Sequence, residues 1–126
     1  MNTDVRSESV VYGCIKNIIS GELSQQRRSN RDAMQALPSA ESWSLVNREM
    51  FSLTEPGGAD LSLATEVVHF GASYSGVEHE WNYWLEQFES LLRNMYWVSA
   101  TVHLETEMSG LHSFVFATDG LCHEPQ

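Results

Sequence analysis

From residue 77 onward the apolar positions fall at Val77, Trp81, Trp84, Leu85, Phe88, Leu91, Leu92 and Met95, with Glu78, Glu80, Asn82, Glu86 and Glu89 between them. A repeat of three and four residues puts the apolar side chains on one stripe of an α-helix, so the pattern predicts a helix docked on a core. The period then changes. Over residues 97–105, Val98, Ala100, Val102 and Leu104 alternate with Trp97, Ser99, Thr101, His103 and Glu105, the two-residue period of a half-buried strand. A turn around Met108, Ser109 and Gly110 leads into the run LHSFVFA, which predicts an antiparallel hairpin.

The first half is read in the same way. Residues 9–19 are rich in Val, Ile and Tyr and predict a first strand. A first helix is expected over the run LSQQRRSNRDAMQALPS, with Ser29 and Asp32 as a local cap and Pro38 as its stop. A short helical turn is expected after Ser39, where Trp43, Val46 and Met50 fall at helical spacing. Pro56-Gly57-Gly58 separates two β-like runs, residues 50–54 and 63–73, read as a hairpin or long β connection. Ser75-Gly76 is expected to turn the chain and cap the second helix. Strand, helix, strand, strand, helix, strand and an added C-terminal strand predict an α+β ferredoxin-like sandwich, an antiparallel sheet with its helices on one face. Residues 1–126 are expected to form one domain, with 1–8 and 120–126 as flexible ends.

Composition permits such a core. At 126 residues with 42% hydrophobic side chains, the chain can withdraw roughly two-thirds of its unfolded surface from water. The N-terminus lacks the apolar segment of a secretion signal and no run approaches the roughly 20 apolar residues that span a bilayer, so a cytoplasmic location is expected. In that reducing setting Cys14 and Cys122, which lack C-x-x-C spacing, are expected as free thiols.

Charge is unevenly divided. The net charge is −10, yet residues 1–48 hold six basic groups against five acids, and residues 49–126 hold only Arg93 against twelve acids. A field of that sign disfavours nucleic acid and attracts a basic protein partner.

The hairpin carries the candidate chemistry. A two- or four-residue turn would place His103, Glu105, Glu107, His112, Phe114 and Phe116 on one face, because paired residue numbers would then sum to an odd value. His103, Glu105 and His112 on adjacent strands would suit a two-His, one-carboxylate metal site, hence a metal-dependent enzyme or small-ligand binder. The neighbouring Phe114 and Phe116 favour the other reading, in which all six residues form a protein-binding surface and no metal or other cofactor is used. Elsewhere the run HEWNY has Tyr83 where a zinc-protease helix needs its second imidazole, and HFGASYSG lacks the glycine pattern and lysine of a nucleotide loop. No G-x-S-x-G elbow surrounds Ser73 or Ser75. Trp81 and Trp84, at helical spacing, read as core.

The run HFGASYSGVEHEWNYWLEQFESLLRNMYWVSATVHLETEMSGLHSF, with its aromatic-rich helix beside an acidic strand pair, resembles the central part of small bacterial immunity proteins of polymorphic and type VI secretion toxins. The resemblance implies a short, acidic, cytosolic protein that neutralises one toxin by binding it, occluding a basic active-site cleft. A phage-type inhibitor of a host defence complex would share these features. A symmetric homodimer formed through the sheet is the third expectation.

Overall fold

Five strands form one antiparallel sheet in the order β2-β3-β1-β4-β5, and two helices complete an α+β fold. In the computed structural model, which describes residues 8–18, 23–53, 65–119 and 121–125, the strands are β1 (Glu8–Ile18), β2 (Phe51–Leu53), β3 (Thr65–Ser75), β4 (Ser99–Thr106) and β5 (Gly110–Ala117). The helices are α1 (Leu23–Gln35) and α2 (Trp81–Arg93). β1 lies at the centre, pairing with β3 through Cys14↔His69 and with β4 through Tyr12↔His103.

Alternation gives the sheet one covered side. Val11 and Ile15 of β1, Val68 and Phe70 of β3, and Ala100, Val102 and Leu104 of β4 are all buried beneath the helices. On α2 the expected stripe is buried at Trp84, Phe88, Leu91 and Leu92, with Val77 and Met95 at its ends. A chain of rings joins helix to sheet: Trp81 stacks on Trp84 at 5.0 Å, Trp84 on Phe88 at 5.1 Å, and Phe88 meets Phe70 at 5.2 Å. The buried rings, Trp84, Phe88 and Phe70, each contribute about 1.5–3 kcal/mol through burial alone, and the half-buried Trp81 contributes less.

Gly13 makes room for this packing. A Cβ placed there would come within 1.9 Å of the Thr101 carbonyl oxygen and 2.9 Å of the Phe70 ring, so no larger residue fits without moving backbone.

α1 places Met34 in the core and is further tied down by polar groups. Glu66, buried on the inner face of β3, accepts from Arg27 Nε at 2.8 Å and from Asn30 Nδ2 at 3.3 Å. Asn30 also accepts from the Tyr96 amide at 2.7 Å. A buried carboxylate is tolerated because it is both paired and hydrogen-bonded.

Several local expectations are corrected. Ser29 and Asp32 lie inside α1 and do not cap its start. The helical turn expected after Ser39 is two 3₁₀ turns, Ala40–Ser42 and Arg48–Met50. Val46 and Met50 are buried as the spacing implied, but Trp43 points into solvent, because the chain reverses between the two turns. The α2 entry is a 3₁₀ turn, Val77–Glu80, with Gly76 at its N-cap in the left-handed region (φ 71°), as the Ser75-Gly76 turn implied, while the side-chain oxygen that accepts from the Val77 amide, at 3.2 Å, is Ser9 Oγ. Pro56, Gly57 and Gly58, and residues 1–7 of the expected flexible end 1–8, lie outside the described residues, and Glu8 opens β1. At the other end, His123 is tied to Trp97 by backbone hydrogen bonds of 2.8 and 3.3 Å.

Candidate functional site

The β4–β5 turn decides which candidate residues meet. Thr106 pairs with Gly110, leaving Glu107, Met108 and Ser109 as a three-residue loop, and Gly110 adopts φ 77°. Three-residue hairpins end on a left-handed position that glycine fills without strain. An odd loop inverts the expected parity: His103 pairs with Ser113, Leu104 with His112 and Val102 with Phe114. His103 and Glu105 therefore face outward, while His112, Phe114 and Phe116 belong to the helix side.

That separation corrects the expectation of a single six-residue face. Phe114 lies 5.2 Å from Trp81 and Phe116 lies 5.7 Å from Phe88, so both rings are part of the packing under α2. His112 is exposed at the tip, with Nε2 3.0 Å from Ser109 Oγ. Glu107 is in the loop, where its carboxylate accepts from the Glu8 amide at 3.2 Å. His103, Glu105 and His112 do not converge on one point. Among the described residues no group of three or more His, Cys, Asp or Glu side chains is placed to hold a metal.

A different surface emerges from the outward positions. On the uncovered side of the sheet Tyr12 is flanked by His103, their ring centroids 5.1 Å apart, and the Tyr12 hydroxyl donates to Glu105 Oε1 at 3.4 Å. His103 Nδ1 is 2.8 Å from Ser113 Oγ, carrying the polar line on to β5. Apolar side chains stand exposed around it: Val10 and Tyr12 at 37%, Leu111 at 56% and Val115 at 70%. Partial desolvation first, and the Glu105 carboxylate second, raise the Tyr12 hydroxyl above the ordinary tyrosine pKa. The hydroxyl thus stays protonated and able to donate.

Charge on this side is polarised. Glu8, Glu105 and Glu107 gather at the end where β1 begins, while Lys16 lies toward the other end, opposite Ser99. Among the described residues β5 is an edge strand, and its sequence GLHSFVFA has none of the Lys, Arg, Asp, Glu or Pro residues that discourage edge pairing. Val10 and Tyr12 were absent from the sequence-derived candidates although the signal existed: alternation in β1 sends them opposite to Val11 and Ile15.

Cys14 and Cys122 are free thiols. Cys122 Sγ donates to Asn17 Oδ1 at 3.1 Å, and burial, then Glu124, raise its pKa, which lowers its share of the reactive thiolate. No described helix is long and apolar enough to cross a membrane. Comparison with known proteins gives no match to a family model, a curated protein or a solved structure.

Proposed function

We propose that this chain is a stoichiometric protein inhibitor of the immunity-protein kind, which meets a basic partner in the cytoplasm with the uncovered face of its sheet. The observation that carries the reading is the exposure of Val10, Tyr12, Leu111 and Val115 on one face whose adjoining end carries Glu8, Glu105 and Glu107. Apolar side chains on a rigid sheet supply the desolvated centre that binding requires, and carboxylates at the rim steer a cationic surface toward it. A partner such as a toxin would lose access to a basic cleft once this face sat in it. The strand order, with β1 central and β5 added beside β4, supports a ferredoxin-like arrangement extended by one strand.

Capture of the partner from the source cell, followed by binding kinetics, tests the reading. Glu105→Lys and Glu107→Lys should slow association and weaken its salt dependence, whereas Tyr12→Ala and Leu111→Ala should speed dissociation, by about 2 kcal/mol where the side chain is an anchor. Parent-like binding in all four folded variants would refute it. Self-pairing through the neutral β5 edge would instead appear as a dimer by sedimentation without any partner.

A further inference from the structure

Trp43 is 94% exposed and has φ 65° and ψ 18°, the left-handed conformation in which a bulky side chain is strained. It is the one non-glycine residue with positive φ among the described residues. It occupies the C-cap of the Ala40–Ser42 turn, a place that glycine ordinarily takes.

The loop around it is tightly held. The Ser42 amide donates to the Ser39 carbonyl at 3.0 Å, and the Ala40 amide to Glu49 Oε2 at 3.2 Å. The Val46 amide donates to Gln87 Oε1 at 2.9 Å. The Tyr74 hydroxyl donates to the Leu45 carbonyl at 2.6 Å and accepts from Trp84 Nε1 at 3.0 Å, which ties the loop to the core. Strain persists where surrounding contacts over-determine the backbone, and here those contacts display an indole to water.

What the indole borders gives it a use. Trp43, Tyr74, Tyr83 and Glu80 line a cleft of about 880 Å³ between this loop, the end of β3 and α2, with Ser73 and Ser75 along its wall. Tyr83 is also exposed, at 60%. Among the described residues Glu80 is the only charged one in the lining, and none of them is a lysine or arginine. Aromatic faces beside a carboxylate attract an ammonium or guanidinium group, and they reject an anion.

We propose that this cleft seats a cationic side chain, an arginine or lysine of a protein partner, with Trp43 and Tyr83 supplying ring faces and Glu80 the countercharge. The inference rests on the reading of the chain as a binder of a basic protein and adds a second contact at the same end of the sheet, since Ser73 pairs with Val10 and Ser75 with Glu8.

The test titrates the full chain with the blocked peptide Gly-Arg-Gly-Arg-Gly and with its neutral citrulline counterpart, following the Trp43 indole N–H by NMR. The arginine peptide should shift that signal saturably, and the citrulline peptide should bind about fivefold more weakly or worse. Glu80→Gln should weaken binding about threefold. Trp43→Gly should reduce it about tenfold while raising Tm by about 2 °C or more, because relief of left-handed strain outweighs the extra unfolded-state freedom of glycine. A lower Tm for Trp43→Gly would make the indole structural and overturn the proposal. So would a silent Trp43 signal, equal binding of the two peptides, or a response confined to a neutral sugar such as chitotriose. Arginine-peptide shifts centred on Tyr12 and Glu105 with Trp43 unmoved would reject the cleft and leave the partner reading standing.

Discussion

The two sides of the sheet are made from alternate residues of the same strands, yet they have opposite characters. On the helix side, Val11, Ile15, Val102 and Leu104 lie beneath Trp84 and Phe88, and Phe114 and Phe116 close the layer at its β5 edge. On the other side, Val10, Tyr12, Leu111 and Val115 face water, separated from the core by one backbone position. Apolar character alone therefore does not mark a core residue in this protein. Parity does, and the apolar residues of the wrong parity are the ones that need a functional explanation.

Substitutions can break or sharpen that contrast. The largest effect belongs to Trp84→Ala or Phe88→Ala, each expected to cost about 3–5 kcal/mol by urea denaturation, a large share of a typical domain's 5–15. Gly13→Ala comes next, at about 2–3 kcal/mol, because the added methyl meets the Thr101 carbonyl and must displace a strand.

The sharpest comparison is within β5 itself. Phe114→Ala and Phe116→Ala should each cost about 2 kcal/mol, and Leu111→Ala and Val115→Ala about 0.5 or less. The reverse ranking would mean that the hairpin loop has an even number of residues and that the two faces have been exchanged.

The smallest effect is a pH dependence. Burial raises the Tyr74 hydroxyl above the ordinary tyrosine pKa, partly offset by the hydrogen bond from Trp84. The folded chain then holds this proton more tightly than the unfolded chain does. Its contribution is fully present below the ordinary tyrosine pKa and is lost as the pH rises through the folded value. Denaturation midpoints should fall over that alkaline range, and less steeply in Tyr74→Phe.

The helix stripe and strand alternation were legible because each is a local period: Trp84, Phe88, Leu91 and Leu92 are buried on α2, and Ala100, Val102 and Leu104 are buried on β4, as their spacing implies. The β4–β5 register was not legible, since it depends on the conformation of one residue, Gly110, and an odd loop moves Phe114 and Phe116 to the other face. Nothing local distinguishes Trp43 from an apolar helix position either. Its exposure follows from the reversal of the chain after Ala40–Ser42, a consequence of long-range bonds to Glu49, Gln87 and Tyr74. Likewise Glu66 looks like a surface acid in the sequence, and only the arrival of Arg27 and Asn30 from α1 makes its burial tolerable.

The central claim is that the uncovered face of the sheet makes the principal contact with the partner. Methyl cross-saturation NMR on the complex with the captured partner tests it most directly, because Val and Leu methyls populate both sides. Irradiating the partner should attenuate the methyls of Val10, Leu111 and Val115 and leave those of Val68, Leu85 and Leu92 unchanged. Attenuation of Leu85 with Val10 and Leu111 unaffected would place the partner on the helices and contradict the account.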